Sequence, residues 1–189
     1  MRGKRIVQLV AFAAAAAMAG RASSEEMTTS KAEIKRGEYL VNYGGCNDCH
    51  TPKLMTPKGP QPDPSRLLSG YPANAPIPPV PPAGIIGPTP NQWGAVTNNE
   101  LTAWVGPWGT SYAANLTPDV ATGLGGWTAD QFVKTMRTGK HLGVGREILP
   151  PMPWFDIALL NDRDLKAVFA YLKSIKPISN QVPQPAPPR

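Results

Sequence analysis

The sequence is poor in metal-binding side chains, with 2 cysteines and 2 histidines among 189 residues. A structural zinc site needs four protein ligands, and the one histidine outside the cysteine motif leaves too few. No βαβ pattern is visible, so a thioredoxin-like dithiol lacks its usual context. No internal repeat occurs either. We therefore expect a single site built from one motif.

A long apolar run is missing as well. The run over 6–19 is short for a membrane-spanning helix, and it follows three basic residues in the first five positions. Ala17-Met18-Ala19 has the A-x-A form of a cleavage site. We predict a signal peptide at 1–19 and a flexible leader at 20–30, with export to the periplasm of a Gram-negative bacterium. An uncleaved membrane anchor is the alternative.

The formal net charge of +6 overstates the basic character of the exported chain. Residues 1–19 hold three of the basic residues and no acidic one, so their removal leaves +3. The remaining sequence has no basic run and no basic helix face. We therefore expect no nucleic-acid partner, and a chain that is soluble after cleavage or held at a membrane only through a partner.

Proline and glycine are abundant, with 23 and 18 residues. Thirteen of the prolines lie between Pro52 and Pro90, where no helical or strand period is sustained. We predict that 51–95 is an extended, partly polyproline loop inserted in the domain. A disordered insert is the alternative. Apolar side chains that could anchor the loop are Leu67, Leu68, Tyr71, Ile77, Val80, Ile85, Ile86 and Trp93.

Helical patterns lie on both sides of this insert. Ser30 to Glu33 predicts a capping box for a first helix that ends near Tyr43, before two glycines. A short helix is predicted over 98–105, and a capping box at Thr128 predicts another that ends at Gly139.

A last helix is predicted from Asn161, since its apolar residues fall on one stripe at Leu165, Val168, Phe169 and Leu172. Pro177 ends this helix. We predict one all-α domain over 31–176, followed by a Pro-rich tail over 177–189.

Both cysteines stand in one motif, Cys46-Asn47-Asp48-Cys49-His50. This C-x-x-C-H spacing is the attachment site of a c-type haem. Thiols three positions apart lie about one helical turn apart, so both can reach one porphyrin edge. The histidine that follows is the proximal iron ligand. We predict one covalent haem c, and a disulfide within the motif is the alternative.

The second axial ligand has five candidates, which are Met27, Met55, Met136, Met152 and His141. Met152 lies between Pro151 and Pro153, and the prolines stiffen its loop. A stiff loop helps to hold a weak thioether ligand on the iron. We therefore predict His50 and Met152 as the axial pair, with ordinary packing of Met152 as the alternative. His141 is the rival ligand, and a bis-histidine site would have a lower reduction potential.

These motifs together resemble the class I-like cytochrome c family. Gly37 and Tyr171 match the two positions at which the family's first and last helices cross. The resemblance is closer to the cytochrome c subunits of periplasmic alcohol, aldehyde and gluconate dehydrogenases. It covers about 31–176 and rests on Asn115-Leu116-Thr117-Pro118-Asp119, Gly123 to Trp127, Arg137 to His141, and Pro150 to Trp154. It implies a cytochrome c-like fold around one haem.

We therefore predict an electron carrier and not an enzyme. It would pass single electrons between a dehydrogenase and a respiratory-chain acceptor, such as a terminal oxidase or another cytochrome. The alternative is a haem sensor or a peroxidase-like enzyme, either of which needs a labile sixth ligand. A structural subunit that uses haem only as a folding core is a third possibility.

Overall fold

A computed structural model describes residues 31–188. The predicted signal peptide, the leader with Ser30, and Arg189 lie outside the described residues. Five α-helices and five β-strands are present in the described part of the chain. The predicted all-α fold is therefore wrong, because two antiparallel sheets accompany the helices.

The first helix, the helix capped at Thr128 and the last helix lie close to their predicted positions. Helix α1 covers residues 31–43 of the described chain and ends before Gly44. Asn161 caps α5 as predicted, and its side chain accepts a hydrogen bond from the Asp164 backbone. The predicted capping box of α3 is present, because the side chains of Thr128 and Gln131 each accept the other's backbone N–H. The other bounds are α2 Cys46–His50, α3 Ala129–Thr138, α4 Trp154–Ile157 and α5 Asp162–Ser174.

Two hairpins account for most of the strand structure. A two-stranded sheet pairs β1 with β2, and a three-stranded sheet has the order β3-β4-β5. Each hairpin has a two-residue loop, and the next strand begins at a glycine of positive φ, Gly59 at 93° and Gly109 at 97°. The strands are β1 Lys53–Thr56, β2 Gly59–Pro62, β3 Val96–Thr97, β4 Ala103–Gly106 and β5 Gly109–Tyr112.

The helix predicted over 98–105 is also wrong, and Asn98 provides the reason. Its side-chain oxygen accepts hydrogen bonds from the backbone of Thr102 at 2.8 Å and of Ala103 at 3.0 Å. An asparagine that bonds its own local backbone favours a turn over a helix. The turn brings β3 back against β4, where Thr97 pairs with Trp104.

The Pro-rich insert over 51–95 is partly ordered and is not a simple extended loop. It contains the β1–β2 hairpin and a 3₁₀ turn at Pro64–Arg66, where Asp63 caps the N-terminus. Of its predicted anchors, Leu68 and Tyr71 are fully buried. Trp93 is 69% exposed, so the later part of the insert has looser contact with the body of the domain.

The hydrophobic core lies between the first and last helices and α3. A Cβ atom built at Gly37 of α1 would overlap the Ala167 carbonyl and lie 2.9 Å from Tyr171 Cβ. The predicted helix crossing is thus present, and only glycine allows this close approach. The core residues from several elements are Val41, Leu68, Leu124, Phe132, Met136, Leu165, Val168, Phe169 and Leu172.

The C-terminal tail runs across the domain and is hydrogen-bonded to three parts of it. The Ile178 carbonyl accepts a bond from Asn115 at 2.8 Å. The side chain of Asn180 donates to the carbonyls of Ser69 and Tyr71 at 2.7 and 2.9 Å. Ala186 forms an antiparallel bridge with β5. The tail therefore ties the insert to the segment that follows β5.

Candidate functional site

The C-x-x-C-H motif forms helix α2, directly after the turn that ends α1. Gly45 makes this turn with a φ of 66°, and its carbonyl accepts a bond from the Asp48 backbone at 2.9 Å. Cys46 and Cys49 are both free thiols and both half-buried. They lie one turn apart on a single short helix, as the haem prediction requires.

His50 is the last residue of α2 and is buried. Its Nδ1 atom lies 2.8 Å from the Ala114 carbonyl oxygen. Since a carbonyl can only accept, the proton belongs on Nδ1 and the lone pair on Nε2. Burial lowers the pKa of His50 and favours the neutral imidazole. The ring is therefore oriented and neutral, as a metal-ligating histidine needs to be.

The backbone of His50 is held by the segment that begins at Leu68. The His50 carbonyl accepts a bond from Gly70 N at 2.7 Å. Thr51 is fully buried, and its hydroxyl donates to the Asn47 side chain and accepts from Leu68 N at 2.9 Å. These bonds fix the end of α2 against the insert.

Lys53 follows at the start of β1 and is 8% exposed. Its Nζ atom donates to the carbonyls of Asn47 at 3.0 Å and Asp48 at 2.8 Å, and also to that of Thr51. The Asn47 carbonyl also accepts from Thr51 N at 3.2 Å, whereas the Asp48 carbonyl is among those that the end of a helix leaves without an intrahelical partner. Lys53 thus caps the helix that carries the motif.

The two thiols have raised pKa values. Burial raises the pKa of Cys46 to about 11, and burial is also the main cause of the raised pKa of Cys49. A redox dithiol instead needs one thiol with a lowered pKa. Within residues 31–188, no group of three or more His, Cys, Asp or Glu side chains is placed to hold a metal ion. The raised thiol pKa values thus differ from what a redox dithiol needs.

Met152 is half-buried in the loop between the 3₁₀ turn His141–Gly143 and α4. Its carbonyl accepts a bond from Trp154 N at 2.9 Å. The Trp154 ring packs on Gly139, the left-handed C-cap of α3, where a Cβ atom would lie 2.5 Å from the ring. The Pro150–Pro151 peptide bond in this loop is cis. The contact between the Trp154 ring and Gly139 fixes the Met152 loop against the end of α3.

One short segment contacts both the motif and the Met152 loop. The hydroxyl of Ser111 donates to the Pro150 carbonyl at 2.6 Å, and three residues later the Ala114 carbonyl binds His50. Ser111 belongs to β5, whose pairing with β4 fixes its position. The end of β5 thus connects the two predicted axial ligands.

The other ligand candidates are placed differently. Met55 is 66% exposed on β1, and Met136 is buried in the hydrophobic core. Met27 lies outside the described residues. His141 is exposed, and its ring meets the Trp127 ring edge-on at 4.9 Å. His141 and Trp127 line a shallow cavity of about 380 Å³.

The side chains of Asn115 and Trp108 are occupied by internal contacts. Asn115 is buried, donates to Thr122 and Ile178, and accepts from Thr117. Trp108 Nε1 donates to Ser111 at 3.2 Å. Both therefore have structural roles in the described part of the chain.

Known proteins that are similar in sequence match most of this chain. A nicotinate dehydrogenase subunit of Pseudomonas putida is 30% identical over 154 residues, or 82% of this chain and 10% of that protein. The gluconate 2-dehydrogenase cytochrome c subunit of Pantoea cypripedii is 31% identical over 147 residues, or 77% of this chain and 24% of that protein. The alcohol dehydrogenase (quinone) cytochrome c subunit of Gluconobacter oxydans is 28% identical over 152 residues, or 80% and 23%.

The chain is related to the cytochrome c subunits of dehydrogenases. The resemblance predicted from the motifs is thereby confirmed. The chain spans a quarter or less of the length of each of those three proteins. No protein-family model matches it.

A cytochrome c relationship implies haem c, and the residues present fit that group. The predicted donors are two thiols on one helical turn, a neutral imidazole with its lone pair on Nε2, and a thioether on a loop tied to the same β5 segment. No helix in residues 31–188 is long and apolar enough to cross a membrane.

Sequence reasoning missed the residues that hold the predicted ligands in place. Ala114 acts through a backbone carbonyl, which no sequence pattern reveals. Ser111 and Asn180 act through contacts between segments far apart in the chain. Lys53 had one available signal, since a lysine three residues after a helix end can fold back on its carbonyls.

Proposed function

We propose that the chain is an exported, periplasmic monohaem c-type cytochrome that carries single electrons between a dehydrogenase and a respiratory-chain acceptor. Cys46 and Cys49 would form the thioethers, and His50 and Met152 would be the axial ligands. The observation that carries the proposal is the β5 segment, which binds His50 through Ala114 and the Met152 loop through Ser111.

When bound, the haem would supply one-electron redox chemistry. The chain's own residues would keep the coordination constant as the charge changes. His50 is buried and its ring orientation is fixed by Ala114. The prolines around Met152 restrict the motion of its loop. A site that changes little in geometry suits electron transfer better than a reaction with substrate.

The dehydrogenase partner is proposed from the names of the relatives, which are subunits of such enzymes. This chain is similar to only a part of each. We propose that it acts as an electron-transfer component for an oxidising enzyme and holds no substrate site of its own.

Optical spectra of the purified chain test this function, in oxidised and reduced forms and with added carbon monoxide. We expect sharp low-spin bands, a weak sulfur-to-iron charge-transfer band in the oxidised form, and no carbon monoxide binding. Met152→Ala should open the sixth position and bind carbon monoxide. Met55→Ala is the matched control, since that methionine is exposed. A wild-type protein that binds carbon monoxide readily would instead indicate a sensor or enzyme.

A further inference from the structure

Lys53 is a lysine in an unusual environment. Lysine is rarely buried without a charged partner, and Lys53 forms none of the ion pairs found within residues 31–188. Its three carbonyl acceptors match the three donors of an ammonium group. The positive charge is thus held by dipoles and is not neutralised by a carboxylate.

Two acidic residues lie in the neighbourhood but do not pair with the ammonium. Asp48 is exposed, and it contributes its backbone carbonyl to Lys53. The Glu100 carboxylate accepts from the backbone N of Lys53 at 3.3 Å. Burial lowers the pKa of Lys53, and these two acids act in the opposite direction. The Lys53 ammonium therefore carries its charge near the end of α2 without a salt bridge to either carboxylate.

The electric field of this charge reaches the iron ligand. The Nζ atom of Lys53 donates to the carbonyl of Thr51, which directly follows His50, and to that of Asn47 in the same short helix. A positive charge beside the ligand also favours the reduced form of a bound redox group, because reduction removes one unit of positive charge. Because the lysine is buried, salt would screen this interaction much less than a surface charge.

We propose that Lys53 is a positioning residue that caps α2 and, through its unpaired charge next to His50, raises the reduction potential of the site. The inference rests on the proposed function, since it requires a haem held by His50. It concerns a residue that is neither a haem attachment point nor an iron ligand.

Redox titration of the haem-loaded full chain tests this role. Lys53→Gln keeps a hydrogen-bond donor for the α2 carbonyls and removes the charge, whereas Lys53→Arg keeps the charge. We expect K53Q to lower the midpoint potential, so that the ratio of reduced to oxidised protein at a fixed potential falls several-fold. K53R should stay near the wild-type midpoint. The K53Q shift should persist in high salt.

Lys58→Gln is the matched control, because Lys58 is an exposed lysine in the same β1–β2 hairpin. It removes the same charge from solvent and should move the midpoint much less. Equal shifts in K53Q and K58Q would overturn the proposal. A K53R midpoint as low as that of K53Q would also overturn it, since it would mean that capping geometry and not charge matters.

Glu100→Gln gives a second measurement if K53Q does not fold. Removing this negative charge beside Lys53 should raise the midpoint, and an unchanged midpoint would contradict the proposed charge balance. Failure of the proposed function itself would be visible separately, in a wild-type spectrum without low-spin His/Met bands.

Discussion

The two halves of the proposed ligand pair are held in different ways. His50 is fixed directly, by a hydrogen bond to its ring, a bond to its carbonyl and a cap on its helix. Met152 is fixed through its backbone neighbours, Pro150 and Trp154. The difference follows from ligand chemistry. An imidazole has a second nitrogen that can be hydrogen-bonded while the first binds metal, whereas a thioether offers the protein little to hold.

Because the two ligands are held differently, we expect their removal to change the optical spectrum to different extents. His50→Ala should have the largest effect, because it removes the buried, oriented ligand and leaves the Ala114 carbonyl unpaired. We expect the low-spin optical bands to disappear altogether. His141→Ala is the control, since it removes the other histidine of the chain, and its spectrum should match that of the wild type. Loss of the bands in H141A would instead support the bis-histidine site.

A substitution at Thr51 tests the hydrogen bonds that hold the end of the His50 helix. In Thr51→Val the Leu68 N–H loses its acceptor in a fully buried position. A buried donor left without a partner costs about 1–3 kcal/mol of unfolding free energy. Urea unfolding should show this loss. Thr138→Val is the control, because the Thr138 hydroxyl is on an exposed residue, and it should cost clearly less. Equal losses of unfolding free energy in the two variants would mean that burial does not make the Thr51 bond more stabilising than that of Thr138.

A substitution at Ser111 tests the hydrogen bond that holds the Met152 loop. Ser111→Ala removes the bond to the Pro150 carbonyl, and we expect a smaller loss of about 1 kcal/mol. The specific effect should be on the weak ligand, so carbon monoxide should bind more readily than to the wild type. Ser174→Ala is the control, since its hydroxyl bonds only within α5. If S111A binds carbon monoxide no more readily than S174A does, the hydrogen bond of Ser111 does not hold the Met152 loop in place.

The sequence could predict the C-x-x-C-H motif and the three helices α1, α3 and α5, because both depend on local patterns. The C-x-x-C-H spacing is local, and so are the caps at Thr128 and Asn161. The helix crossing at Gly37 was predictable from the family resemblance. Helix packing around a glycine has a recognisable signature, since one small residue must face one large residue.

The sheets were not predicted, because they form where the chain was expected to be irregular. Proline and glycine in 51–95 indicated only a lack of helix, while the hairpin depends on the turn at Gly59 and its pairing with Lys53–Thr56. At 98–105 the side-chain bonds of Asn98 override a weak helical pattern. The contacts that join β5 to both ligands are long-range, so no local pattern contains them.

Asp63 offers a test of how pH acts on the His50 side. It lies near the end of the β1–β2 hairpin, and its N–H donates to the Pro52 carbonyl at 2.8 Å. Hydrogen bonds from Ser65, followed by those from Arg66, lower the pKa of Asp63 to about 2. A carboxyl group with a lowered folded pKa stabilises the protein above its unfolded pKa, and this stability is lost as the pH falls through the folded value.

The expected window therefore runs from about pH 4, the ordinary aspartate value, down to about 2. Asp63→Asn should be less stable than the wild type at pH 6, and the difference should shrink to nothing as the pH falls through that window. Unfolding curves of both proteins at several pH values measure it. A difference that stays constant with pH would assign the role of Asp63 to its neutral hydrogen bonds. The ion pair with Arg66 at 2.7 Å would then add no stability.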